Sequence, residues 1–156
     1  MTRSHEPDGY QCPFCTLLRG ESTPISTPEN IVYRDEQTAV VVSPHWWETN
    51  PVNLLVVPVE HVENLYVLPP ALGTPLLATA RRAALALIET YGCEGTSLRQ
   101  HNEPAGNQDV WHLHFHVVPR WHDDAFQRGE HVMRAVPLAE QHEHSARLRG
   151  ASSWRS

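Results

Sequence analysis

Three observations in the sequence predict one mixed helix-and-sheet domain. Short β-branched runs bounded by turn residues recur along the chain, one long segment carries both helix-start and helix-stop residues, and its apolar positions form a single stripe suited to packing on a sheet. At 156 residues the chain supports one hydrophobic core, and a second independent core would be marginal.

Taken in order, the first thirty residues hold CPFC, with Cys12 and Cys15, and then GESTPISTPEN, whose Pro, Ser and Thr content predicts a loop. IVY, the turn-like RDEQ and TAVVVS predict a hairpin with strands at Ile31 to Tyr33 and Thr38 to Ser43. SPHWWETNP reads as a loop, in which Trp46 and Trp47 either wall a binding site or fill a gap. NLLVVP is a continuous apolar run, as expected of a central strand covered on both faces, and it ends where Pro58 lacks an N–H for the ladder. Thr74 as N-cap and Pro75 at the first helical position predict a helix through LLATARRAALALIETY that stops at Gly92. Leu76, Ala80, Ala83, Leu87 and Tyr91 form its apolar stripe, away from Arg81, Arg82 and Glu89. A strand around Thr96 to Gln100, the loop HNEPAGNQD and a strand through VWHLHFHVVPRW follow. After Trp121 the chain turns polar, and EQHEHSARLRG predicts a short helix or a mobile tail.

Composition narrows the function. The net charge of −6 argues against a polymeric nucleic-acid partner, which calls for a basic face. Every basic residue is Arg, so a Schiff-base lysine and the lysine of a phosphate-binding P-loop are both excluded. No stretch approaches the roughly 20 apolar residues of a bilayer span, and MTRSHEPDGYQC has no apolar h-region, so a soluble cytoplasmic protein with no membrane partner is expected. Three cysteines do not make a disulfide scaffold; Cys12 and Cys15 have metal-binding spacing, and Cys93 reads as a small core thiol behind the helix.

The chemistry concentrates in His112, His114 and His116. With a side-chain period of two, all three project from one face of a strand while Leu113, Phe115 and Val117 bury the other. Same-face neighbours on a strand lie about 7 Å apart. Either the three imidazoles serve one metal through strand twist, or they divide among tasks. Cys12 and Cys15 need two further ligands to close a tetrahedral zinc site, with His61 and His112 as candidates, which would leave His114 and His116 for chemistry.

HLHFHVV, preceded by NEPAGNQDVW, followed by PRW and joined to a CPFC knuckle, resembles the histidine triad (HIT) family of nucleotide hydrolases and transferases. The similarity runs from Tyr10 to Trp121 and takes in YRDEQTAVV, LLVVPVEHVENLY and the long helix. It implies an α+β fold on an antiparallel sheet, a single domain over residues 1–156 with its core at about 10–122 and a C-terminal extension at 123–156, and a homodimer. It implies a zinc ion held structurally by Cys12, Cys15, His61 and His112, as in zinc-bearing bacterial-type members. It further implies that His114 attacks the α-phosphate of a small nucleotide conjugate, such as a nucleoside phosphoramidate or dinucleoside polyphosphate, giving a nucleotidyl-histidine. His116 would bind phosphoryl oxygens, Asn102 and Gln108 would add hydrogen bonds, and Ser43 would contact the nucleoside. Two alternatives share the pattern: a non-catalytic nucleotide-binding zinc module, and a metalloenzyme in which all three strand histidines are ligands.

Several positions depart from the family pattern. Val52 and Asn53 replace a common Gly-His, Ser43 replaces an aspartate that grips the ribose, and Asn107 and Asp109 stand where Gly and Ser or Thr are frequent. The SPHWWETNP loop is longer than usual, with tryptophans suited to stacking on a base, and Asp109 is expected to face a histidine or an arginine, or to cap a turn. Arg120 either reaches phosphate or ends a strand at the surface. His5, His45, His101, His122, His131, His142 and His144 lack a patterned context and read as solvent-facing.

Overall fold

A computed structural model describes residues 4–127 and 132–156. Its centre is an antiparallel five-stranded sheet in the order β1-β2-β4-β6-β5, formed by β1 (Ile31–Arg34), β2 (Thr38–Val42), β4 (Leu54–Pro58), β5 (Gly95–Gln100) and β6 (Phe115–Arg120). The expected hairpin and the central apolar strand are both present. Every residue of β2 and β4 is buried, because the sheet is covered on both faces and alternate side chains enter different cores.

On one face Val40, Val42, Leu54, Val56 and Val117 pack against helix α2 (Pro70–Tyr91) through Leu76, Ala80, Ala83 and Leu87. Burying Leu76 and Leu87, each at most 1% exposed, stabilises the fold by about 1.5–3 kcal/mol apiece. On the other face Ala39, Val41, Leu55 and Val57 meet Cys12, Phe14 and Leu17 of the N-terminal knuckle, where α1 spans Pro13–Leu18. Cys93 is buried in the α2 core, as its small apolar character suggests.

Three sequence expectations need correction. α2 begins at Pro70 with Pro69 as N-cap, five residues before the Thr74 and Pro75 signal; Pro69 and Pro70 already fix the entry φ, and Pro75 falls in the second turn. Gly92 does end the helix, in left-handed backbone at φ 63°. The 22 residues of α2 also meet the length and hydropathy of a membrane span, contrary to the expectation that no stretch does, but its inner stripe is spent on the sheet. SPHWWETNP is not all loop: β3 (His45–Trp47) pairs with β7 (Met133–Ala135) in a second, two-stranded sheet.

Of the two readings of the C-terminal segment, short helix or mobile tail, the structure has the helix: α3 (Leu138–Arg149) is packed on the core. Leu148 is fully buried in the α2 core, and Gln141 bonds to the buried Asn30 side chain, the Val136 carbonyl and the Ile25 carbonyl. A mobile tail would forfeit these contacts. The low apolar content of the segment left helix and tail undecided in the sequence, because the stability of the helix comes from docking and not from an amphipathic stripe.

Candidate functional site

The histidine segment enters the sheet later than its alternation predicts. Regular pairing begins at Phe115, so His112 and His114 lie in the irregular approach to β6, held by the Leu113 N–H donating to the Val62 carbonyl at 2.6 Å. The two-face separation nevertheless holds: Leu113 and Val117 sit in the α2 core with Phe115 packed against it, while the Phe14 ring lies 5.5 Å from His112 and 5.4 Å from His114. The irregular backbone lets the imidazoles approach more closely than on a flat strand. The rings of His114 and His116 are 5.0 Å apart.

His112 belongs to a cluster with Cys12, Cys15 and His61, whose potential ligand atoms all lie within 4.8 Å of one another. Cys12 Sγ is 3.3 Å from His112 Nδ1, and Cys15 Sγ is 3.3 Å from His61 Nδ1 and 3.6 Å from His112 Nδ1. Bonds of roughly 2.3 Å to sulfur and 2.0 Å to nitrogen require tetrahedral edges of about 3.5 Å, so these spacings fit zinc. The far ring nitrogens fit it too. His112 Nε2–H donates to the Pro58 carbonyl at 2.9 Å, and His61 Nε2 meets Glu6 Oε2 at 2.7 Å, which turns an Nδ1 lone pair from each ring toward the sulfurs.

Burial pushes the Cys12 thiol up to about 12 and His112 down to about 4. A divalent cation reverses the first of these, since only the thiolate ligates, and is favoured by the second, since only the neutral imidazole does. The metal-capable group found among the described residues includes His112 but neither His114 nor His116. That arrangement runs against the three-histidine metal reading.

His114, 4% exposed, has its Nδ1–H bonded to the His112 carbonyl at 2.8 Å. Its tautomer is thereby set, with the lone pair on Nε2. Burial holds its pKa below the ordinary histidine value, so the ring is neutral at pH 7. It borders a cavity of about 400 Å³ together with His116, Ser43, His45, Asp109 and, among the apolar lining residues, Phe14. That volume suits a small organic ligand. His116 contacts Asn53 Nδ2 through Nδ1 at 3.4 Å, and burial, reinforced by neighbouring His114, His101 and Arg99, lowers its pKa to about 3.

The remaining candidates divide. Ser43 lines the cavity, but its hydroxyl already bonds the His45 carbonyl at 2.9 Å and accepts from the His45 N–H at 3.2 Å. Asn102 and Gln108 do not line the cavity. Asn102 accepts from the Leu65 N–H and donates to Gln100, while Gln108 donates to the Glu63 and Val110 carbonyls and accepts from the Glu103 N–H, so both side chains brace the loop before the triad. Asp109 lies at the cavity and acts electrostatically on His114, raising its basicity against the effect of burial. Asn107 sits at φ 66°, which explains why a residue tolerant of left-handed backbone stands where glycine is frequent.

Trp46 and Trp47 are not among the cavity-lining residues and pack into the core, although the Trp47 ring also lies 5.9 Å from that of His116 and backs it from behind the cavity wall. Trp46 is fully buried with its indole N–H on the Ser43 carbonyl at 2.6 Å, and Trp47 packs edge-on against Phe126. Arg120 forms a two-pronged pair with Asp124, both contacts at 2.7 Å. Of the histidines read as solvent-facing, His45 and His122 are exposed; His5, His101, His142 and His144 are half-buried, and His131 lies outside the described residues. His101 is the one that sequence reasoning missed. Its ring is tilted against His116 at 5.4 Å, a contact created by the return of β5 alongside β6 and carrying no local sequence signal.

Comparison with known proteins accords with this geometry. The HIT domain model matches residues 25–123. The adenylylsulfatase HINT3 of Arabidopsis thaliana is 25% identical over 126 residues, which cover 79% of this chain and 59% of that longer protein. A zinc-bound histidine triad family protein from Mycobacterium smegmatis superposes with a TM-score of 0.71 at 25% identity, over 93% of this chain and 94% of that one. A hypothetical histidine triad nucleotide-binding protein from Sulfolobus tokodaii shares the fold, with a TM-score of 0.74 at 20% identity over 92% of each chain. A model match over more than half the chain, within which His112, His114 and His116 all fall, makes this protein a member of the HIT domain family.

Proposed function

We propose that this protein is a nucleotide hydrolase or nucleotidyltransferase that acts at the α-phosphate of a nucleotide conjugate of the phosphoramidate or dinucleoside polyphosphate type. The observation that carries the reading is the bond from His114 Nδ1–H to the His112 carbonyl, beside the cavity. It leaves Nε2 as a lone pair on a neutral, buried ring. That nitrogen attacks phosphorus; a P–N bond forms and the bond to the leaving group breaks, with the departing atom taking up a proton. Water or another acceptor then displaces the nucleotide from Nε2. His116 contacts the phosphoryl oxygens, and Ser43 borders the nucleoside. Asn102 and Gln108 serve the site by shaping its loop.

Zinc in the Cys12, Cys15, His61 and His112 cluster is structural on this reading, because four protein ligands leave no coordination position for water. It ties the knuckle to the histidine segment and so fixes the carbonyl that orients His114. Three unpaired cysteines suit a reducing cytoplasm, and the family resemblance supports a homodimer. The experiment is to incubate the protein with a nucleoside phosphoramidate or dinucleoside polyphosphate, quench, and map the nucleotide adduct by mass spectrometry. An adduct on His114 is expected. Tight ligand binding with neither adduct nor turnover would favour a non-catalytic nucleotide-binding module instead.

A further inference from the structure

Asn53 is fully buried at the entrance to β4, and it is a residue the proposed chemistry does not use. Its backbone carbonyl accepts from the Ser43 N–H at 2.9 Å, which anchors it beside the cavity wall. Just before it, Val52 adopts φ 66°, a left-handed conformation that is an outlier for a β-branched side chain. The strained residue sets the direction in which the chain delivers Asn53 to the sheet. Across β4 and β6, Leu55 pairs with His116, so Asn53 lies two residues along the strand from that pair. Its amide Nδ2 reaches His116 Nδ1 at 3.4 Å.

We infer that Asn53 is a positioning residue that holds His116 as the tautomer with hydrogen on Nε2, making that ring a neutral hydrogen-bond donor to a phosphoryl oxygen in the cavity. The inference rests on the function proposed above for its ligand, but not for its geometry. An amide N–H can only donate, so an imidazole Nδ1 that receives it must be the acceptor and carry its own hydrogen on Nε2. The reverse orientation of the amide is the costlier one. Among the described residues Asn53 Oδ1 is a buried acceptor with no hydrogen-bond partner; exchanging the two atoms would put an NH₂ group with two donors in that place. Burial keeps His116 neutral, so the ring carries a single hydrogen and the contact at Nδ1 decides which nitrogen holds it.

The test uses the zinc-loaded full chain. Two-bond ¹H–¹⁵N NMR of the histidine rings should show the Nε2–H form for His116 in the wild type. In Asn53→Asp the carboxylate can only accept, so His116 should change to the Nδ1–H form. With a nucleoside phosphoramidate, kcat for this variant should fall at least about tenfold, as when a donor to developing phosphoryl charge is misdirected, with KM changed less than about threefold. Asn53→Leu keeps the volume without the bond, covers the case in which a buried aspartate prevents folding, and should give mixed tautomers with a similar loss of kcat. An Nδ1–H form in the wild type would overturn the inference, and so would variants that keep both the wild-type tautomer and kcat. A wild-type Nε2–H form that switches in Asn53→Asp, in a protein that turns over no nucleotide conjugate, supports the positioning role and overturns the proposed function.

Discussion

His112 and His114 stand two residues apart in different surroundings, one in the cysteine cluster and the other at the cavity, and the backbone joins them: the carbonyl of His112 orients the ring of His114. His114→Ala is therefore expected to lower turnover by at least about a thousandfold with folding and zinc content unchanged, checked by steady-state kinetics beside metal analysis. Cys12→Ser removes one ligand and the cap that the thiol sulfur offers to the Cys15 N–H. It should abolish stoichiometric zinc, read by atomic absorption after gel filtration. Asn107→Ala places a Cβ-bearing residue without a compensating amide at φ 66° and should cost about 1–2 kcal/mol in chemical denaturation. Asn107 was visible in the sequence as a departure from glycine. Its backbone reason was not, since φ is set by the turn that the Gln108 N–H closes on the Glu103 carbonyl.

At the scale of elements, most strands and the long helix were legible, because periodicity and turn residues are local signals. Leu87 shows the reward for that pattern: fully buried on the sheet side of α2, it should cost about 2–5 kcal/mol on truncation to Ala, measured by urea unfolding. The start of the same helix was misread because Thr74 and Pro75 make a sound local cap signal that loses to Pro69 and Pro70 upstream. The β3 and β7 pairing was illegible for another reason. Three-residue strands carry almost no periodic signal, and these two are separated by most of the chain. Their pairing matters to the site, since it brings Met133 and His45 to one cavity.

The described residues form a sheet with two covers, and the candidate site lies under the smaller one. That cover consists of the knuckle, so chelation should loosen the wall of the cavity as well as the metal cluster, and a melting temperature lowered in excess EDTA and restored by Zn²⁺ is expected. Beyond β6, Asp124 receives Arg120, the Asn50 amide and the Trp121 N–H, and its carboxyl is held well below the usual carboxylate range, chiefly by Arg120. A depressed folded-state pKa contributes stability that is full above the unfolded value of about 3.9 and is lost as pH falls below it. Asp124→Asn should therefore reduce stability at pH 7 and flatten its decline between about pH 4 and 2, as followed by denaturant titration across pH.

The sequence by itself determined the α+β class, the two faces of the histidine segment, the Cys12 and Cys15 pair and the family, because each rests on residue spacing or on a motif within one continuous stretch; the full set with His61 and His112 came only through the resemblance, and the fold brings the four together. Only the tertiary structure decided that Asn102 and Gln108 brace a loop, that Trp46 and Trp47 pack into the core, and that His101 and Asn53 flank His116. Those roles depend on which strands become neighbours and on which polar groups find a partner there. A hydrogen bond between residues 63 positions apart leaves no trace in the local pattern of either one.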